Sequence, residues 1–459
     1  MAYLQRLWAA WTRLNKQYPR TLAWLKVTVV FGLFWLYSWM NLDPDFGWHL
    51  SAGNYIRQHW VPAHDIYTYT ARNYRWIDHE WGNDVITSIL YQIGGYTLTT
   101  IVFAAAWTAG LCLFRRKLSL TVLLLAMASV LPYAGVRPTT WTVLCLALLL
   151  ELCGNATKRA KITIPVLFLF WANLHGGFII GLAIVAYCFL KDRRRSWLVV
   201  LLASILASFI NPYGPRLYVE IAHTLFDPAL HAQITEWRSF YIQFNGCVLV
   251  ALWGGGFWLF DRTKLRNWLS ISSFLLLASL SATRNFPLFV VGCLRDTDRY
   301  LKQIRLPKKL DRFGKSFLAV FYLSVICVII YGLHSSFFPW MVNRYSTYPV
   351  QEVTYLQTHN CPAHLFNDYS FGGYLIWKLP GAPVYIDGRM PTWHDPNGES
   401  YMDRYIAILR NTSAQKAEFA RYNIRCALLS NTDKRLVNSL KNQGWSLKST
   451  GNNAVLLEK

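Results

Sequence analysis

The chain has 459 residues, of which 54% are hydrophobic, 16% aromatic and 15% charged, well below the ~25% charged residues of an ordinary soluble domain. Its 46 Lys and Arg against 24 Asp and Glu give a net charge of +22, and these charges are spread between apolar runs rather than gathered on one face. This composition excludes an ordinary cytosolic enzyme, argues against a nucleic-acid-binding protein, and indicates an integral membrane protein.

Apolar runs recur along the chain, and eleven are long enough to cross, or nearly cross, ~30 Å of hydrocarbon. They span residues 24–40, 97–114, 118–131, 140–153, 162–174, 178–190, 197–210, 246–260, 268–282, 286–294 and 317–334. The shorter runs are expected to be tilted or broken. The first run follows a basic amino terminus, residues 1–23, and has no small-residue cleavage site after it, which favours a retained signal anchor.

The basic residues predict how these helices are oriented. With the amino terminus in the cytoplasm, the inner segments hold 26 Lys and Arg residues, whereas the five outer loops hold 7. Cytoplasmic loops are enriched in Lys and Arg, and a long terminal domain is translocated largely regardless of charge. We therefore predict an α-helical polytopic membrane protein with its amino terminus in the cytoplasm and about 11 transmembrane helices over residues 24–334. Residues 335–459 are predicted to form an extracytoplasmic α/β domain.

The first outer loop, residues 41–84, carries the densest polar pattern. Pro44 disfavours a helical Asp43, and residues two apart in an extended stretch point the same way, so Asp43 and Asp45 are expected to face one pocket. There a single carboxylate would serve as a base, or two would hold a divalent cation. The alternative is that Asp45 only caps the next helix.

A broad aromatic face at helical spacing over residues 46–60 predicts a helix lying in the outer interface. His49 would lie on the same side of this helix as Asp45, either as a functional group or as a packing residue. The loop then ends in W-I-D-H-E-W, which places a second acidic pair, Asp78 and Glu80, on either side of His79.

These motifs carry a resemblance to a known family. An acidic motif after the first membrane helix, an interfacial helix and a second acidic site in the same loop resemble the GT-C superfamily of integral-membrane glycosyltransferases. A group of bacterial glycosyltransferase-like membrane proteins is still more similar. The matching stretches are DPDFGWHLSAGNYI, VPAHDIYTYT, WIDHEW, WANLHGGF, NPYG, TEW, an Arg before FPLF, GGYLIW and IDGR. The match therefore spans most of the chain.

The resemblance implies a specific reaction. A polyprenyl-phosphate-linked sugar would be the donor, and an envelope glycan, lipid or protein the acceptor, because the sequence has neither a GxGxxG turn after a strand nor a P-loop to hold a nucleotide sugar. The resemblance makes Asp43 the leading base, Asp45 its partner or a ligand of Mg²⁺ or Mn²⁺, and Glu80 the second acidic group. The candidate substrate-binding residues are His49, Asp78, His79, Arg137, Asn173, His175, Glu236, Arg284, Asp387 and Arg389.

Several of these residues also have structural interpretations. Arg137 and Arg284 are candidates for binding the donor phosphate, but an arginine at a helix end commonly extends to the interface. Asn173 and His175 would instead cap helix carbonyls before the Gly176–Gly177 turn. Asp387 and Arg389 would form an ion pair that supports a glycine turn.

The tail alternates helical stretches with short strand-like runs, which favours an α/β layer. The predicted helices are residues 350–359, 399–410, 414–422 and 433–442, and the predicted strands are residues 364–367, 383–386, 425–429 and 454–458. Cys361 and Cys426 are the two outer cysteines and would pair in an oxidising compartment. The other seven fall in or at the ends of apolar runs without metal-binding spacing and are expected to be small core residues.

Two rival functions remain compatible with the sequence. A catalytically silent GT-C-like scaffold or lipid-glycan-binding protein would keep the aromatic helix but would not need paired carboxylates. A flippase or polymerase would need polar groups deeper in the membrane than this chain places them.

Overall fold

A computed structural model describes residues 19–112, 120–155, 157–238, 270–303 and 347–459, together with residues 17, 118 and 345. The predicted runs at residues 246–260 and 317–334 lie outside the described residues, as do Cys247 and Cys327. Twelve helices precede the tail in the described ranges: α1 (Pro19–Met40), α2 (Phe46–His59), α3 (Trp81–Leu111), α4 (Leu120–Val130), α5 (Thr139–Asn155), α6 (Lys158–Leu174), α7 (Phe178–Asp192), α8 (Arg195–Ser208), α9 (Arg216–Phe226), α10 (Pro228–Gln233), α11 (Ile271–Ser281) and α12 (Phe286–Gln303).

Two of the described helices are long and apolar enough to cross a membrane, α3 and the Ala23–Met40 part of α1. Helix α3 is bent at Gly94 and Gly95, and Gly95 has a φ of +61°. The remaining apolar helices are shorter, so the predicted number of eleven transmembrane helices stays unconfirmed.

The helical part is built around one apolar core to which α1, α3 to α9, α11 and α12 contribute. Large aromatic side chains fill it: Trp107, Trp171 and Trp197 are each at most 1% exposed. Phe34 of α1 stacks on Trp107 of α3 with a centroid separation of 5.5 Å. This packing fixes the helix ends that carry the outer loops.

The tail forms the predicted α/β layer. Its helices are α13 (Val350–Thr358), α14 (Gly372–Lys378), α15 (Tyr401–Arg410), α16 (Thr412–Arg421) and α17 (Lys434–Asn442), and its strands are β1 (His364–Asn367), β2 (Ile424–Ser430), β3 (Ser446–Thr450) and β4 (Ala454–Glu458). The sheet order is β1-β2-β4-β3, with β1 parallel to β2 and the other pairs antiparallel. The predictions missed β3 and α14.

One predicted strand, residues 383–386, is wrong. Val384 makes a single bridge to Thr68 of the first outer loop, through bonds from Tyr69 N to Val384 O (3.2 Å) and from Val384 N to Tyr67 O (2.9 Å). This stretch hydrogen-bonds to a segment distant in sequence. It is therefore not a strand of the tail sheet.

The tail and the first outer loop share one hydrophobic core. Trp48, Tyr69 and Trp76 of the loop pack in the same buried cluster as Phe366 and Tyr385 of the tail. Tyr69 also donates a hydrogen bond to the Leu365 carbonyl (3.0 Å). The loop and the tail therefore lie on the same side of the helical part.

Helix α2 lies between α3 and the tail rather than free in an interface. It begins at Phe46, as predicted, and eight of its 14 residues are buried. A Cβ at Gly53 would lie 1.9 Å from the Asp84 carbonyl, and one at Gly47 would lie 2.1 Å from the Gly373 carbonyl. Both contacts require glycine, because the backbones themselves touch.

Cys361 and Cys426 form a disulfide, with a Cα–Cα distance of 6.0 Å across 65 residues. Closing a loop of this length restricts the unfolded chain, so replacing both cysteines by serine is expected to lower the free energy of unfolding of the tail by about 4 kcal/mol. Denaturant unfolding of the purified variant checks this expectation. Thiol labelling of the wild-type chain before and after reduction checks whether the bond forms in cells. Reduction should expose two further thiols, and an unchanged number of labelled thiols would contradict the disulfide.

Candidate active site

A cavity of about 570 Å³ lies where one end of the helical part meets the loop of residues 41–84 and the tail. Eleven of the thirteen residues proposed from the sequence line it: Asp43, Asp45, His49, Asp78, His79, Glu80, Arg137, His175, Glu236, Arg284 and Arg389. These residues come from segments as distant in sequence as 43 and 389, and the fold brings them to one place.

Asp43 and Arg137 form an ion pair in the wall of this cavity. The Arg137 Nε atom pairs with Asp43, whose side chain is 6% exposed, and Arg137 Nη1 pairs with Glu236 at 2.5 Å. Asp43 also accepts the Asp45 amide hydrogen (2.9 Å). Burial alone would raise the pKa of Glu236, but the charges of Arg137 and Arg284 hold that pKa below its usual range. The charges of Asp43 and Arg137 are thus largely satisfied by protein groups.

The environment of Asp45 differs from that of Asp43. It occupies the position before α2, but its side chain makes no capping hydrogen bond, so the cap interpretation of this residue is wrong. Its carboxylate lies against Gly388 of the tail, where a Cβ would lie 1.9 Å from Asp45 Oδ1. Burial, reinforced by the charge of Asp43, raises the pKa of Asp45 to about 7. Near neutral pH this residue therefore interconverts between its charged and neutral forms.

Glu80 lies among three histidines. His175 Nε2 is 3.4 Å and His79 Nε2 is 3.5 Å from Glu80 Oε1, while His49 Nε2 is 3.7 Å from Glu80 Oε2. Burial raises the pKa of Glu80, partly offset by His49 and Arg284. Burial also lowers the pKa of His79 to about 4 and that of His175 well below its usual range. These two histidines are therefore neutral at pH 7.

Asp78 shapes the turn that carries Glu80. Its Oδ1 atom accepts the Glu80 amide hydrogen at 3.1 Å, and its side chain is buried, which raises its pKa well above the usual range. Asp78 lines the cavity as proposed, and its hydrogen bond positions the Glu80 backbone.

Arg284 is the cation of the cavity that keeps its charge available. It lies in the 3₁₀ turn Thr283–Asn285 between α11 and α12, and its guanidinium stacks on the Trp237 ring at 4.3 Å. Among the described residues, no carboxylate lies within ion-pair distance of Arg284. Arg284 can therefore pair with an anion in the cavity without first losing a carboxylate partner.

Arg389 belongs to the joint between the tail and the loop. It forms a bidentate pair with Asp387 (2.8 and 2.6 Å) and an ion pair with Asp65 of the first outer loop (2.8 Å). Its guanidinium also lies over the rings of Trp76 and Trp393, at 4.5 and 5.1 Å. This arrangement agrees with the structural interpretation of the Asp387–Arg389 pair, which holds the Gly388 turn against Asp45.

Two residues proposed from the sequence lie outside the cavity lining. Asn173 donates from its amide to the carbonyls of Leu169 (2.7 Å) and Ile210 (2.8 Å), and its oxygen accepts from Trp81 Nε1 (3.0 Å). Asp387 is fully buried behind Arg389. Both side chains support the wall of the cavity without facing it.

The sequence analysis missed several residues that form or support this site. Glu220 of α9 and Tyr369, Ser370, Thr392 and Trp393 of the tail line the cavity, whereas Asp65 and Asp84 are buried carboxylates beside it. The two aspartates had a sequence signal, since both lie in the polar first outer loop. The tail residues had none, because their proximity depends on how the tail docks.

The donors do not fit a resident divalent cation. Among the described residues, no group of three or more His, Cys, Asp and Glu side chains is arranged to hold a metal ion. Arg137 already neutralises Asp43, and a guanidinium at that position would repel a cation held by Asp43 and Asp45.

Comparison with known proteins identifies the fold. No family model and no curated protein matches the sequence. Among solved structures, the chain is similar to the archaeal oligosaccharyltransferase AglB from Archaeoglobus fulgidus in complex with an inhibitory peptide and a dolichol-phosphate, with a TM-score of 0.57 and 12% identity over 91% of this chain and 70% of that chain. The apo form of the Archaeoglobus fulgidus oligosaccharyltransferase is similar at the same TM-score and identity, over 90% and 70%. This chain therefore shares its fold with an archaeal oligosaccharyltransferase.

Proposed function

We propose that this protein is a membrane glycosyltransferase that transfers a sugar from a polyprenyl-phosphate-linked donor to a glycan, lipid or protein acceptor of the cell envelope. The observation that carries the proposal is the convergence, in one cavity, of the Asp45 and Glu80 carboxylates with Arg284. Carboxylates suit the sugar and the acceptor hydroxyl, and a cation without a carboxylate partner among the described residues suits a phosphate.

The proposed reaction is a single displacement. The acceptor oxygen forms a bond to the anomeric carbon, and the bond from that carbon to the donor phosphate oxygen breaks. The acceptor proton passes to a carboxylate of the first outer loop, a transfer worth ~10²- to 10⁴-fold in rate. Ionised Asp45 stabilises the positive charge that develops on the sugar, and Arg284 stabilises the departing phosphate.

The pairing of Asp43 with Arg137 changes how we assign the base. Asp43 as the base stays a prediction, but its carboxylate is already occupied by the ion pair with Arg137 and the hydrogen bond from the Asp45 amide. We assign Asp43 the role of holding Arg137 and the adjoining wall, and we place the proton transfer at a carboxylate that faces the open cavity.

We place the reaction on the extracytoplasmic side of the inner membrane. The excess of basic residues in the inner segments supports this orientation. The first outer loop and the tail share one core, and the tail contains the Cys361–Cys426 disulfide, which is typical of an oxidising compartment. A lipid-linked donor suits this side, since nucleotide sugars stay in the cytoplasm. The AglB structure with a dolichol-phosphate bound to the same fold also supports a lipid-phosphate substrate.

Purified full-length protein in lipid nanodiscs tests the proposal. With a panel of polyprenyl-phosphate sugars and envelope-fraction acceptors, we expect sugar transfer and release of polyprenyl phosphate, whereas the nucleotide sugar alone should give none. Mass spectrometry of envelope glycolipids and glycoproteins from cells with and without the gene identifies the product. Unchanged glycans together with no turnover of any lipid donor would favour the silent scaffold, and transfer from the nucleotide sugar alone would contradict the proposed mechanism.

A further inference from the structure

We propose that Asp84, His49 and Glu80 form a proton relay for this reaction, in which Glu80 takes the acceptor proton, His49 receives it from Glu80, and Asp84 positions His49. The inference rests on the proposed function and assigns its base. Glu80 and His49 line the cavity, whereas Asp84 is fully buried behind His49. Glu80 and His49 are therefore candidate catalytic residues, and Asp84 is a positioning residue.

The hydrogen bonds around Asp84 fix the orientation of the His49 ring. Trp141 Nε1, which can only donate, lies 2.9 Å from the Asn83 side-chain oxygen. The Asn83 amide nitrogen therefore faces Asp84 Oδ1, at 3.1 Å, and that oxygen is an acceptor. His49 Nδ1 lies 2.6 Å from the same oxygen, so the ring donates its Nδ1 hydrogen to Asp84. The lone pair of His49 Nε2 then faces Glu80.

The opposite side of Glu80 has a donor that is fixed in the same way. The Trp171 indole donates to Thr142 Oγ1 (2.9 Å), which leaves the Thr142 hydroxyl hydrogen for His175 Nδ1 (2.7 Å). The Gly177 amide also donates to His175 Nδ1 (3.1 Å). The hydrogen of neutral His175 therefore lies on Nε2, 3.4 Å from Glu80 Oε1.

Glu80 thus has a donor near one oxygen and a proton acceptor near the other. His175 holds Oε1, and Oε2 faces the lone pair of His49 Nε2 across 3.7 Å. That separation is longer than a hydrogen bond, as is common before substrate tightens a site. A proton arriving on Glu80 Oε2 meets His49 Nε2, whereas His79 Nε2 lies 3.5 Å from the other oxygen, Oε1.

Close packing maintains the contact between His49 and Asp84. Gly53, one turn after His49, lets α2 lie directly against the Asp84 carbonyl, and the two side chains are 3% and 0% exposed. Asp84 therefore holds His49 in the tautomer that the relay needs.

The relay accounts for both the acceptor proton and the leaving group. The acceptor O–H bond breaks as its oxygen bonds to the anomeric carbon, and its proton moves to Glu80 Oε2 and then to His49 Nε2. The donor phosphate leaves with the electron pair of the broken carbon–oxygen bond. The proton on His49 returns through Glu80 to water or to the released phosphate, which restores the relay.

An experiment with azide as the acceptor tests the relay, because azide is already an anion and needs no base. The variants are Glu80→Gln, His49→Gln and Asp84→Asn, and His59→Gln, an exposed residue of the same helix, is the matched control. We expect each relay variant to lower kcat for the hydroxyl acceptor by about 100-fold, with the KM for the lipid donor changed less than about threefold. Asp84→Asn acts by favouring the other tautomer of His49.

Azide should then restore turnover in the Glu80→Gln and Asp84→Asn proteins, with glycosyl azide and polyprenyl phosphate as products. A structural role for these residues predicts no such rescue. Relay variants that keep the parental kcat, or that bind donor normally but are inactive with azide, would overturn the inference. If the parent itself turns over no lipid donor, the failure lies in the proposed function and not in the relay.

Discussion

Replacing Asp45 by asparagine is expected to reduce glycosyl transfer by about 100-fold or more without reducing the stability of the fold. The ionised carboxylate is what would stabilise positive charge on the sugar, and asparagine keeps the volume but removes the charge. Because burial raises the pKa of Asp45 to about 7, well above the ~4 of an ordinary carboxyl, the parent loses folding free energy as the pH rises from about 4 to about 7, and the full cost remains at higher pH. The variant should therefore unfold at the same temperature as the parent, or a higher one, above pH 7.

The same pKa predicts how activity depends on pH. The parental rate should rise with pH with a midpoint near 7, as the active, ionised form of Asp45 accumulates. The residual rate of the Asp45→Asn variant should lack this midpoint. Initial rates across the neutral range, together with thermal unfolding at each pH, check both expectations. If the Asp45→Asn variant keeps the parental activity, Asp45 has no role in the mechanism.

Gly388→Ala tests Asp45 without changing it. The new Cβ would lie 1.9 Å from Asp45 Oδ1, the mobile end of that side chain, so the carboxylate has to turn away while the tail stays folded. We expect a loss of rate similar to that of Asp45→Asn. The matched control is Gly398→Ala, which strains an exposed turn with a φ of +83° and should cost stability but little activity.

The largest effect on donor use is expected from Arg284. Charge-assisted hydrogen bonds contribute about 1.5 to 3 kcal/mol each, so Arg284→Ala should weaken lipid-donor use by roughly 10- to 100-fold. Arg284→Lys should recover part of this loss, because lysine restores the charge but not the two-pronged geometry. Steady-state kinetics over a range of donor concentrations measure both effects. Arg216→Ala, which changes an exposed arginine outside the cavity lining, is the control.

Arg137→Ala should behave differently from Arg284→Ala. Removing the Arg137 guanidinium leaves Asp43 buried and unpaired, which is expected to cost about 3 to 5 kcal/mol of stability. The Arg137 variant should therefore be poorly stable, whereas the Arg284 variant should be stable but a poor user of donor. Parental donor kinetics in Arg284→Ala would show that this arginine is only an anchor on Trp237.

The sequence by itself predicted the apolar helical part, the α2 helix, the α/β character of the tail and eleven of the residues that line the cavity. These features depend on local patterns: hydrophobic periodicity, strand-sized apolar runs, and acidic residues placed directly after a membrane helix. The Cys361–Cys426 disulfide could also be predicted, because the sequence analysis places two cysteines on the outer side. Such signals involve neighbouring residues and need no knowledge of how distant segments meet.

Only the tertiary structure decided which carboxylates are available for chemistry. Asp43 and Asp45 look equivalent in the sequence, yet Arg137 pairs with Asp43 while the Gly388 turn encloses Asp45. Likewise Arg137 and Arg284 both flank membrane runs, but Glu236 and Asp43 neutralise only Arg137 among the described residues. Charge pairing and burial depend on contacts between residues far apart in sequence, and no local pattern encodes those contacts.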